Sequence, residues 1–98
     1  MVDIHVACDG SPGAGWACQV TLTERGRQIS THDIRVRSPD LERLARGAAD
    51  PAALVEASFA FLLEREPPHA ILRSFDLLEI ARYFPDYEAT IRRRARAD

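Results

Sequence analysis

The chain has 98 residues, 13 basic and 15 acidic, with a formal charge of −2 and a hydrophobic share of 46%. That length fits one domain, since chains usually divide only above roughly 200 residues, and the apolar content is too high for a disordered segment. No run reaches the roughly 18 to 20 apolar residues needed to cross a bilayer, which argues against a membrane partner. Met1–His5 also lacks the basic stretch and apolar core of a secretory signal, so a cytoplasmic location is expected. All 13 basic residues are Arg, Lys and Asn are absent, and Ala occurs 15 times. Codon usage in a GC-rich genome explains that bias, with selection for guanidinium chemistry as the sharper alternative.

The charge is unevenly spread. Residues 51–90 carry seven acids against three Arg, whereas residues 91–98 carry Arg92, Arg93, Arg94 and Arg96 against Asp98. A short basic tail on an acidic domain can meet phosphate or pair with the neighbouring acidic surface. Cys8 and Cys18 are too few for a secreted disulfide scaffold, and with the three His they make no zinc pattern. Two reduced, half-buried thiols are expected; a cross-strand disulfide requires that their strands pair in the right register.

The first third alternates with period two. Val2, Ile4, Val6 and Cys8 share one face of a strand. Asp9–Gly15 is a turn-rich loop, after which Trp16, Cys18, Val20 and Leu22 continue the apolar face of a second strand. A third strand spans residues 28–37, with Ile34 and Val36 on the same parity. A two-residue turn at Arg25-Gly26 would pair even positions with odd ones. A three-residue loop, Glu24-Arg25-Gly26, pairs even with even and aligns Trp16, Cys18 and Val20 with Ile34, His32 and Ser30. The three-residue loop is therefore expected, with His32 hydrogen-bonded at the rim of the apolar face.

The remainder reads as helical. Ser38-Pro39-Asp40 starts a short helix ending near Gly47, with Ser38 as N-cap. Asp50-Pro51 opens a longer helix through Glu66, whose apolar stripe is Val55, Phe59, Leu62 and Leu63. Leu54 and Phe61 occupy another flank, either packed on the following helix or presented as a self-association surface. Pro67-Pro68 stops the helix. Asp76 caps a helix over Leu77–Tyr83, and Pro85 starts a terminal segment with Tyr87, Ile91 and Ala95 in one stripe. The expected fold is a single α+β domain over 1–98. A three-stranded antiparallel meander (residues 2–37) forms the sheet, with its even face under a helical layer over 38–96. The expected core comprises Ile4, Val6, Trp16, Val20, Ile34, Val55, Phe59, Leu62, Ile80 and Phe84. Arg35 and Arg37 would guard an exposed edge strand.

Several chemistries lack their residues. Gly10, Gly13 and Gly15 are followed by a strand, not by the helix N-terminus and Gly-Lys-Ser/Thr of a phosphate loop. Neither Cys has a His on its face, and Ser11 sits in a loop between strands, away from a base. Paired acids occur only at solvated helix positions. No catalytic residue, metal ligand or cofactor is expected, although a small-molecule site at the Asp9–Gly15 loop is a third reading.

Residues 77–94 resemble a DNA-binding helix-turn-helix. Ala81, Pro85 and Ile91 fall at its small-residue, turn and aliphatic positions, flanked by Ile80 and Phe84. The resemblance implies a recognition helix over 88–94 with Arg92, Arg93 and Arg94 at phosphates or bases, and Tyr87 and Arg96 are further candidate nucleic-acid contacts. It departs from the motif at Pro85, which cannot take the positive φ of the turn glycine, and at Asp86, where an apolar residue is expected. Separately, Phe61–Pro67, Ile71-Leu72, Phe75–Leu77 and Tyr83–Glu88 resemble the C-terminal pattern of a family of small uncharacterised bacterial proteins. That resemblance implies a compact bacterial domain and no particular activity. The function expected is a non-enzymatic module that binds a protein partner or itself through Leu54 and Phe61. The alternative is nucleic-acid binding through the segment 77–94 and the Arg-rich tail.

Overall fold

Alternation at period two builds three ten-residue strands, β1 (Val2–Ser11), β2 (Gly15–Glu24) and β3 (Arg27–Val36), paired antiparallel in chain order. The computed structural model describes residues 1–96, with side chains as far as Arg94. The even face is apolar and lies under helices; Val20, Leu22, Ile34 and Val36 are buried there, while odd positions of β1 and β3 are largely solvated.

The connection of β2 to β3 differs from the expected three-residue loop. The loop is the two-residue turn Arg25-Gly26, and both residues have positive φ, 54° and 77°. That is the handedness that matches the right-handed twist of a hairpin. Even parity is restored by a bulge, since Thr23 pairs Gln28 but Leu22 pairs Ser30, leaving Ile29 without a partner. Trp16, Cys18 and Val20 consequently face Val36, Ile34 and His32, two residues beyond the expected register. One positive-φ non-glycine residue and one bulge together do the work assigned to an extra loop residue.

The sheet has a fourth strand beyond the expected meander. β4 (Ser74–Asp76) pairs parallel to β3, with Phe75 beside Ile34 on the buried face. The chain over 38–96 is therefore not purely helical, and β3 is an inner strand; Arg35 and Arg37 do not guard an edge. Instead Arg37 pairs with Asp76 at 3.2 Å. Three residues are too short to show an alternating pattern, which is why β4 escapes sequence reading.

The helices are α1 (Ser38–Leu44), α2 (Ala52–Leu63), α3 (Ile80–Tyr83) and α4 (Tyr87–Arg96), with single 3₁₀ turns at Pro68–Ala70 and Leu77–Glu79. Pro39 lies at the start of α1 as expected, but Ser38 is already helical and its hydroxyl donates to the Pro12 carbonyl instead of capping. Asp50 does accept the Ala52 N–H at 2.9 Å, so it satisfies one orphan donor at the start of α2. Asp76 makes no cap bond, being committed to Arg37.

α2 is the centre of the molecule. Val55, Phe59 and Leu62 face the sheet, and Leu54, Ser58 and Phe61 are buried as well. A helix apolar on more than one side must be covered on more than one side; α4 supplies the second cover through Tyr87 and Ile91. Of the expected core, Val20, Ile34, Val55, Phe59, Leu62 and Ile80 are buried, while Ile4, Val6, Trp16 and Phe84 are half-buried against it.

Cys8 and Cys18 are directly opposed in the β1–β2 register and are joined in a disulfide, correcting the expectation of reduced thiols. Their separation of 10 residues encloses a short loop, for which cross-linking contributes about 2–3 kcal/mol by limiting the unfolded chain. Reduction, or the Cys8→Ala/Cys18→Ala pair, is expected to lower stability by that amount, seen as an earlier urea midpoint. An unchanged midpoint would show that the hairpin register already supplies the constraint.

Candidate interaction surfaces

The residues singled out in the sequence divide sharply by burial. Leu54 and Phe61 do not form an exposed surface. Phe61 is fully buried, edge-on to Tyr87 at 5.3 Å and to Phe84 at 5.9 Å, with the Arg65 guanidinium 3.6 Å above its ring. These residues are the contact between α2 and α4, which removes them as a free docking flank.

Tyr87 is likewise interior and cannot contact nucleic acid. Ser58 Oγ donates to the Leu54 carbonyl at 2.8 Å, so its single proton is used. The Tyr87 hydroxyl, 2.7 Å from the same oxygen, is therefore the donor to Ser58. Burial pushes the Tyr87 phenol well above its ordinary range, because a phenolate would lose its hydration there. Arg94 is tied to Glu64 at 2.8 Å, and that hydrogen bond from Arg94 holds the Glu64 carboxyl below its usual value. Arg92 and Arg93 are exposed on α4, whereas the Arg96 side chain lies outside the described residues. In the turn before α4, Asp86 pairs with Arg65 at 2.8 Å. The position where a helix-turn-helix carries an apolar residue thus holds an ion pair.

His32 lies on the buried face as expected. Its Nδ1 donates to the Leu72 carbonyl at 2.7 Å, and the Ser30 hydroxyl lies 2.9 Å from Nε2. The ring packs on Phe59 with centroids 5.3 Å apart. His32 thereby ties the segment before β4 to the sheet. Among the described residues no cluster of three or more His, Cys, Asp or Glu is placed to hold a metal ion. No helix among them is long and apolar enough to cross a membrane.

Three concavities stand out among the described residues. The first, beside the Asp9–Gly15 loop, is a shallow space of about 420 Å³ between Asp9, Trp16, Arg35 and Ser38. Gly10 has a structural reason here: its φ is 147°, and a Cβ would meet the Gly15 carbonyl oxygen. A second cavity of about 760 Å³ lies between α1, the start of α2 and α4, floored by Leu44, Leu54 and Ile91. Four arginines line it, but Arg43 is paired with Glu88 at 2.8 Å, Arg94 with Glu64 at 2.8 Å and Arg46 with Glu42 at 4.0 Å, so most of that charge is neutralised.

The third is an apolar groove of about 390 Å³ between the end of α2, the segment 70–75 and α3. Leu62, Ile71, Phe75 and Ile80 form a buried floor. Leu72 and Tyr83 stand on its walls with 52% and 68% of their surface exposed. They are two of only four large hydrophobic residues exposed among those described; the others are Met1 and Ile29. Glu66 and Glu79 also line the groove, and neither has an ion-pair partner among the described residues.

No sequence pattern marks Leu72, Tyr83, Glu66 or Glu79 as functional. Leu72 falls between elements, outside any periodic stripe, and its neighbour Ile71 is buried. The available signal was weak: two apolar residues, Leu72 and Tyr83, that fit no core face. Compared with protein-family models, curated proteins and solved structures, the chain gives no significant match.

Proposed function

We propose that the protein is a non-enzymatic interaction module, whose apolar groove takes a peptide segment with a bulky apolar residue beside Arg or Lys. The observation that carries this reading is the coincidence of Leu72 and Tyr83 with the unpaired carboxylates of Glu66 and Glu79 in one concavity. Exposed apolar side chains next to a pocket mark recognition surfaces, and aromatic residues with desolvated surroundings dominate their energy. Two carboxylates at the groove select a cationic neighbour and disfavour an acidic one. No convergent nucleophile, base and orienting acid accompanies the groove, which supports binding over catalysis.

Panning random displayed peptides against the whole protein tests this reading. Peptides pairing Leu, Phe or Trp with Arg or Lys are expected to be enriched. The double substitution Leu72→Ser/Tyr83→Ser should weaken the enriched peptide at least about tenfold by calorimetry, since hot-spot truncations exceed about 1–2 kcal/mol. Glu66→Gln/Glu79→Gln should weaken it less and flatten its salt dependence. Enrichment of acidic peptides, no enrichment, or unchanged affinity in the Leu72/Tyr83 variant would each overturn the proposal.

A further inference from the structure

We infer that the outer edge of β1 is a homotypic docking surface, where a second copy of this chain adds its own β1 antiparallel about Ala7. This goes beyond the peptide groove, which lies elsewhere on the molecule, and does not depend on it.

β1 ends the sheet, with β2 on one side and no strand on the other among the described residues. It runs for ten residues without Pro, Lys, Arg or a bulge, and Asp3 and Asp9 are the acidic side chains along it. The opposite edge is the three-residue β4 together with the part of β3 that β4 leaves uncovered, which carries Arg27 and the bulge at Ile29. On the core side, Val2, Ile4, Val6 and Cys8 are half-buried, whereas Cys18, Val20 and Leu22 on the neighbouring strand are buried. The apolar layer is incomplete at this edge, and a strand from another copy would extend it.

The pairing geometry can be argued further. Cys8 and Cys18 have Cα atoms 4.0 Å apart, the close spacing of a non-hydrogen-bonded antiparallel pair. In such a pair the backbone N–H and C=O of each residue point away from the partner strand. The even residues of β1 therefore direct their backbone groups to the open edge, and its odd residues are bonded to β2.

Only even-with-even registers keep the apolar face continuous between two copies. Among these, symmetry about Val6 sets Asp3 against Asp9 of the second copy, a like-charge pair. Symmetry about His5 stacks His5 on His5 and leaves Asp9 opposite Met1. Symmetry about Ala7 sets His5 against Asp9 twice and Asp3 against Ser11, and makes Val6 with Cys8 a hydrogen-bonded pair. Symmetry about Ile4 also sets a histidine against a carboxylate, His5 on Asp3, but engages only residues 1–7, whereas symmetry about Ala7 engages residues 3–11. Its His5–Asp9 pairs fall at non-hydrogen-bonded positions, where side chains approach most closely.

Sedimentation of the full chain over a concentration series tests the inference, with a reversible dimer expected. Asp9→Lys should weaken the dimer about tenfold, because two pairs are lost at once, and His5→Lys should tighten it. The swap His5→Asp/Asp9→Lys should restore the original affinity. Ala7→Cys should cross-link between copies on a non-reducing gel, while the same substitution at Thr21, on an inner strand, should not. Leu72→Ser/Tyr83→Ser should leave the dimer unchanged, which separates this outcome from failure of the peptide groove. A strict monomer up to about 1 mM, or a dimer indifferent to both single charge changes, would overturn the inference.

Discussion

Replacement of Phe59 by Ala is expected to cost about 3–5 kcal/mol, the range for truncating a fully buried aromatic residue. Phe59 is fully buried on the sheet-facing side of α2, with its ring 6.2 Å from Phe75 on β4 and 5.3 Å from His32 on β3. It is the wedge that joins the helix to the parallel edge of the sheet. Its loss would also uncover His32, whose bond to the Leu72 carbonyl holds the segment leading into β4. Net stabilities of small domains are about 5–15 kcal/mol, so this one truncation removes a large part of the total. The melting temperature should fall by more than about 12 °C, read by calorimetry or circular dichroism. Phe59→Leu should cost much less, because most of the volume is kept. An unaltered melting temperature in Phe59→Ala would mean that Val55, Phe59 and Leu62 are not the face that meets the sheet.

Tyr87 carries the second large effect. Truncation to Ala removes a buried ring against Phe61 and leaves the Ser58 oxygen without its donor, at a cost of about 3–5 kcal/mol. Tyr87→Phe keeps the ring and loses only the hydrogen bond, for about 1 kcal/mol. The hydroxyl also gives a pH signature. A phenol whose folded-state pKa lies above the unfolded value of about 10 stabilises the fold fully below that pH. That contribution is lost as the pH rises past about 10 toward the raised folded value, because the unfolded chain ionises more readily. Urea unfolding of the wild type should weaken more steeply between about pH 10 and 11 than that of Tyr87→Phe. Parallel curves would place the phenol in contact with solvent.

The burial of Tyr87 bears directly on the nucleic-acid reading of residues 77–94. Spacing alone placed Ala81, Pro85 and Ile91 as in a helix-turn-helix, because that motif and an ordinary packed helical corner both need an apolar residue at such positions. The contacts separate the two. Tyr87 and Ile91 are spent on α2, Arg94 on Glu64 and Asp86 on Arg65, so two of the candidate contacts, Arg92 and Arg93, are exposed.

Much of the architecture was legible in the chain itself. Period-two alternation marked β1 to β3 and the correct buried face, and the spacing of Val55, Phe59 and Leu62 marked the face of α2 that meets the sheet. Those signals are local and repeated, so each residue corroborates the next. Parity also required even positions to face even positions across β2 and β3. How the chain achieved it, by a positive-φ Arg25 and an unpaired Ile29, was not recoverable, because a turn and a bulge trade one residue without changing parity.

The features that no local pattern encodes depend on contacts between residues distant along the chain. β4 is set by pairing with β3 some forty residues away, and its three residues carry no periodicity of their own. The burial of Leu54 and Phe61 depended on where α4 crosses, and the disulfide on which residue of β2 meets Cys8. Length, charge and alternation by themselves determined a small acidic α+β domain with one apolar sheet face. Tertiary structure decided which apolar residues stay at the surface, and so gathered Leu72, Tyr83, Glu66 and Glu79 into one groove. Exposure is the residue of all packing choices at once, and no local pattern in the chain encodes it.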